Sequence, residues 1–203
     1  MNPLRRVFFC YTILVMKIIT YRLDGFEAVT ATKGTAFEVE GKTIADFGYV
    51  KDRTPLLLKT ADEVPCFFFV KQKLLGAAVL SETRTLKEFL KEKLGALMKA
   101  ESLDPKEIVV YFGPCITFSH CPVSRDFQLG LMKRGYGAAC KRTDKVDYVD
   151  YPVLNLLQLR SLGIPMANIY ISDYDTFENP DLFYSHARKD DAKMNLSVGR
   201  LVY

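Results

Sequence analysis

Pro65-Cys66-Phe67-Phe68-Phe69-Val70, followed shortly by Gly76-Ala77-Ala78-Val79-Leu80, is the stretch on which the fold turns. Both runs are continuously apolar and too short for a helix of ordinary length. That pattern predicts strands buried on both faces. Working outward, Thr85 and Glu88 have the spacing of a capping box, which predicts a helix starting there. Leu86, Phe89, Leu90, Leu94, Leu97 and Met98 then recur at helical spacing, with lysines and glutamates opposite as a solvated face. Asp104-Pro105 ends this region, and Ile108 to Phe112 reads as another buried strand. A second helix is predicted from Asp150 as N-cap, with Pro152 in its first turn and Gly163 closing it in the left-handed conformation before Pro165. Ile169–Ser172 and Asn195–Tyr203 read as later strands, and Asp24-Gly25, Lys33-Gly34 and Glu40-Gly41-Lys42 as turns. Strands alternating with helices place the chain in the α/β or mixed α+β class.

The totals bound the rest. A chain of 203 residues, 49% hydrophobic and 26% charged, suits one domain with a substantial core. A formal net charge of +4 is too small for a dedicated nucleic-acid binder, but suits a small anionic ligand. The five cysteines are odd in number, irregularly spaced and form no CxxC pair. This argues for a reducing, cytoplasmic setting rather than a disulfide framework. With only His120 and His186 as histidines, a zinc or copper centre would have to draw on cysteines and carboxylates as well. Arg5 and Arg6 precede an apolar run from Val7 to Met16 without a cleavage signal, and the run is shorter than a membrane span requires. The expectation is a start at Met16, with residues 1–15 as an upstream extension, residues 16–203 as the domain and Met16–Leu23 as the first strand.

Five motifs occur in order: Thr60-Ala61-Asp62-Glu63-Val64-Pro65, Gly76-Ala77-Ala78-Val79-Leu80, Gly113-Pro114-Cys115-Ile116, Asn155 to Ile164 with Gln158-Leu159 and Gly163, and Asp181-Leu182-Phe183-Tyr184-Ser185-His186-Ala187-Arg188. The series resembles the laccase-domain family, also called the YfiH/YlmD or multicopper polyphenol oxidase family, from about Ala45 to the end. The resemblance implies a single domain with a mixed central sheet flanked by helices. It also implies purine nucleoside phosphorylase activity, with adenosine deaminase and methylthioadenosine phosphorylase activities beside it. The family holds metal with two histidines and a cysteine. Glu63 stands where its Thr-Ala-Asp-Cys-x-Pro motif has cysteine, and Leu80 stands where one histidine belongs. The other histidine, in an N-terminal Gln-x-His-Gly segment, has no counterpart. Leucine offers no lone pair and one carboxylate does not make a site. No cofactor is expected, and zinc or copper only if other ligands rebuild the centre.

Phosphorolysis needs cations to hold phosphate and donors for the departing base. The resemblance nominates Arg84, His186 and Arg188 as catalytic, with Arg84, Arg188 and Lys193 binding the anion. Arg84 is expected at the start of the capped helix, and His186 and Arg188 on one face of a strand, so that Arg84 and Arg188 meet at a shared phosphate site. The competing reading pairs each arginine with its own carboxylate, such as Glu82 or Asp190. Cys115, in a Gly-Pro-Cys turn, is a further catalytic candidate, with His120 or His186 as its base; buried structural thiol is the alternative. Cys115, Cys121 and His120 match no familiar zinc spacing. The expected ligands are phosphate and a purine nucleoside, without nucleic acid or membrane. The rival functions are a non-catalytic binding or regulatory module on the same fold and a metal-independent cysteine hydrolase.

Overall fold

The computed structural model describes residues 18–35, 39–190 and 193–202, so the expected extension over residues 1–15 lies outside them. Strand β1 (Ile18–Leu23) turns at Asp24-Gly25 into β2 (Gly25–Ala31). Then come β3 (Lys42–Thr43), β4 (Phe47–Val50), β5 (Leu56–Thr60), β6 (Val64–Val70) and β7 (Leu74–Leu80). Helices α1 (Glu82–Leu86) and α2 (Phe89–Ala100) lead to β8 (Val109–Phe112) and β9 (Pro122–Val123). After α3 (Arg125–Lys133) the chain forms β10 (Cys140–Thr143), β11 (Val146–Val149), α4 (Tyr151–Arg160), β12 (Ile169–Ile171) and β13 (Asn195–Val202).

These strands form two five-stranded sheets, ordered β1-β2-β13-β5-β3 and β12-β8-β6-β7-β4, and a small sheet β10-β11-β9. Pairing is antiparallel except for β3 with β5 and β12 with β8, so the class is mixed α/β. The two apolar runs explain how the layers stack. Side chains alternate across a strand. Phe67 and Phe69 of β6, with Leu75, Ala77 and Val79 of β7, face Phe26, Leu56, Leu58 and Leu201 of the other large sheet. Cys66, Phe68 and Val70, with Leu74, Ala78 and Leu80, face the other way, toward Leu90 and Leu94 of α2 and Leu154 and Leu159 of α4. Sheet, sheet and helices thus make three layers, and β6 and β7 are apolar throughout because both their faces are core. Gly76 lies opposite Phe68 in the register, and a Cβ there would enter the Phe68 ring.

The second predicted helix forms as expected. The Asp150 carboxylate accepts from the Val153 N–H at 3.1 Å, and Gly163 turns the chain at φ 89°. The first helix corrects the capping-box expectation. It begins earlier, with Ser81 Oγ capping the Arg84 N–H at 3.3 Å, and breaks at Glu88, which adopts φ 57° before α2. Thr85 lies inside α1 and is buried, because its hydroxyl accepts from Asn155 Nδ2 and its carbonyl from Gln158 Nε2, both on α4. Contacts from a distant helix, not the local sequence, decide what Thr85 does.

Candidate functional site

A cleft of about 570 Å³ opens where the β5–β6 corner, the end of β7, the segment after β8 and the turns before β13 converge. The corner is shaped by Asp62, held at φ 92°. One carboxylate oxygen of Asp62 accepts from the Thr176 hydroxyl at 2.7 Å. The other accepts from the Ser185 hydroxyl at 3.0 Å and the Ala187 N–H at 2.7 Å. The Asp62 carbonyl accepts from the Ile116 N–H at 3.2 Å. One residue therefore ties the corner to three other segments.

Glu63 and Leu80 both line the cleft. The Glu63 carboxylate turns back to accept from the Ala61 N–H at 2.6 Å, and Leu80 is buried. On the far wall, Tyr151 bonds Glu82, and its phenol is pushed well up, first by burial and then by that bond. His120 also lines the cleft, with its Nε2 2.5 Å from Glu178 Oε1 and its ring stacked 4.0 Å from that of Phe177. Cys121 lies beside it. Burial first, then nearby carboxylates led by Glu82, push the Cys121 thiol up to about 12, so it is a protonated donor, to the Thr117 carbonyl. Among the described residues, no three His, Cys, Asp or Glu side chains group so as to hold a metal ion. At the two positions singled out by the resemblance, Glu63 is bonded to the Ala61 N–H and Leu80 offers no donor atom.

His186 and Lys193 line the cleft; Arg84, Arg188 and Cys115 do not. Each guanidinium has a carboxylate partner of its own, as the competing reading had it. Arg84 pairs with Asp46 and donates to the Val79 carbonyl at 2.9 Å. It is the third residue of a five-residue helix, and its own N–H is already capped. Arg188 bonds both oxygens of Asp190, at 3.1 and 2.6 Å, and donates to the carbonyls of Thr176, Phe177 and Phe183. The segment bearing His186 and Arg188 is also not the expected strand. The Lys189 N–H donates back to the His186 carbonyl at 2.9 Å, making a turn. His186 is exposed at the cleft while Arg188 points into the chain. Cys115 is 3% exposed. Burial first, then Asp150 and Asp175, raise its thiol far above the usual range, the opposite of an activated nucleophile. The structure gathers residues that sequence reasoning did not nominate: Asp62, whose signal was its place in the first motif, and Glu178, which had none.

A profile of the multi-copper polyphenol oxidoreductase laccase family matches residues 29–202. The chain belongs to this family. The family member is 32% identical, over 143 residues, to purine nucleoside phosphorylase YlmD of Bacillus subtilis, a match covering 68% of the chain and 51% of that protein. It thus spans about half the length of the curated relatives it matches. Among solved structures, YlmD from Geobacillus stearothermophilus aligns with TM-score 0.68 at 25% identity, covering 78% of this laccase-domain chain and 61% of that one. A Neisseria meningitidis protein aligns with TM-score 0.74 at 15% identity, covering 92% and 99%, a likeness of fold alone. Among the described residues of this family member, no helix is long and apolar enough to cross a membrane.

Proposed function

We propose that this cleft binds a purine nucleoside beside phosphate, and that the chain is a divergent relative of the purine nucleoside phosphorylases. The observation that carries the reading is the cleft itself. It lies at Glu63 and Leu80, the positions the family resemblance assigns to its centre, and its volume of about 570 Å³ suits a nucleoside. In phosphorolysis a phosphate oxygen attacks the ribose C1′, the bond from C1′ to the purine nitrogen breaks, and the purine leaves with that electron pair and takes up a proton. Lys193 supplies positive charge for the phosphate. His186 and His120 are the side chains suited to deliver the proton to the base. Arg84 and Arg188 serve the scaffold in this reading, and no step passes through a metal or through Cys115. The free thiols of Cys66, Cys115, Cys121 and Cys140 accord with a cytoplasmic setting.

A second reading, a binding module without turnover, is favoured by the engagement of both arginines with carboxylates of the chain. One experiment separates the two. Calorimetry with inosine, with and without phosphate, is run beside chromatography for hypoxanthine and ribose 1-phosphate. The expectation is a Kd between about 1 μM and 1 mM, tightened by phosphate. Product release then indicates phosphorolysis, and binding without product indicates the module. Absence of binding to both inosine and adenosine overturns the nucleoside reading.

A further inference from the structure

We infer that Asp62 is the positioning residue of the cleft, a clamp whose carboxylate sets where His186 stands. The role rests on the nucleoside reading only for its consequence in binding; the clamp itself rests on geometry. His186 is exposed, in a turn that holds Lys189 at φ 60° and is closed by the Lys189 N–H to the His186 carbonyl and the Asp190 N–H to the Ser185 carbonyl. The anchors are on either side of His186. Ser185 and Ala187 both donate to the same Asp62 oxygen, at 3.0 and 2.7 Å. Ser185 Oγ in turn accepts from the Arg188 N–H at 3.2 Å, closing the turn. The other Asp62 oxygen holds Thr176, whose hydroxyl side chain is fully buried. Thr176 precedes Phe177, on whose ring His120 stacks, and Glu178, to which His120 bonds. One carboxylate therefore holds both the turn that carries His186 and the segment whose Phe177 and Glu178 His120 stacks on and bonds. A carboxylate accepting three hydrogen bonds is a stiff support. A non-glycine residue kept at φ 92° is a cost that local sequence does not explain and a site requirement does.

The chain's two histidines make the test direct. Each contributes one ring Cε1–H signal to a carbon–proton correlation spectrum, and His186→Gln assigns them. Asp62→Asn keeps the size of the side chain but replaces one acceptor with a donor that faces the donors of the turn. Ser185→Ala removes a single strand of the clamp and serves if Asp62→Asn does not fold. In both variants the His186 signal is expected to move. Inosine affinity is expected to fall about tenfold, the effect of one lost charged hydrogen bond. A thermal midpoint lowered in either variant with the His186 signal unchanged would reduce Asp62 to a scaffold residue and overturn the clamp. If the wild-type chain binds no inosine, the nucleoside reading fails while the spectrum still decides the clamp.

Discussion

Arg188 and Arg84 show how differently one residue type is used within one chain. The Arg188 side chain is 19% exposed and bonded to Asp190 and three carbonyls. Removing it leaves those acceptors short of donors in a place water reaches poorly. Arg188→Ala should therefore lower unfolding stability by about 2–4 kcal/mol in urea titrations at pH 7. Arg84 pairs with Asp46, whose side chain is 63% exposed, and Arg84→Ala should cost under about 1 kcal/mol. Equal losses would contradict this division. The pairing of Arg188 with Asp190 was readable as an alternative because the two are near neighbours in the chain. The pairing of Arg84 with Asp46 was not, because only the packing of the β4 end against α1 brings them together.

Among the elements, the break between α1 and α2 carries the clearest electrostatic feature. The Glu88 carboxylate accepts from Lys91 at 2.8 Å, Tyr136 at 2.7 Å and Arg134 at 2.7 Å. The Lys91 bond first, then those of Tyr136 and Arg134, hold it down to about 2 against the opposing effect of partial burial. A carboxyl whose pKa is lower folded than unfolded stabilises the fold above its unfolded value, about 4.3. That contribution is lost as pH falls from there through about 2. The stability gap between wild type and Glu88→Gln should therefore be widest near neutral pH and shrink below about pH 4, measured by urea unfolding across that range. A constant gap would mean the carboxylate charge contributes nothing. Glu88 has capping-box spacing from Thr85, but besides Lys91 its partners lie 46 and 48 residues away. The β10–β11 hairpin was missed for a different reason. Its turn places Asp144 and Lys145 at φ 51° and 70°, a conformation usually announced by glycine or asparagine. Helix α3 escaped because Phe127, Leu129 and Met132 are left exposed, so no clean apolar stripe marks it.

For the molecule as a whole, the shared strands β6 and β7 bind three layers into one cooperative body. Phe67 is 1% exposed, 6.1 Å from the Phe26 ring across the sheets, and a side chain on Gly199 would enter its ring. Phe67→Ala should cost about 3–5 kcal/mol, while Phe127→Ala on the exposed face of α3 should change stability by less than about 0.5 kcal/mol. Circular dichroism during denaturation should show a single transition for both variants, shifted only in the first; separate transitions for sheets and helices would break the shared-core account. The amino-acid order by itself determined what is periodic or local: β6 and β7 as doubly buried strands and α4 between Asp150 and Gly163. Such features follow from side-chain chemistry and the repeat of the backbone, which neighbours in the chain suffice to express. The tertiary structure alone decided which carboxylate each arginine meets, that Cys115 is sealed in the core, and that Asp62 joins four segments around a cleft. Those outcomes depend on which distant segments the sheet topology brings within hydrogen-bond reach, and a charged side chain carries no mark of its partner until they meet.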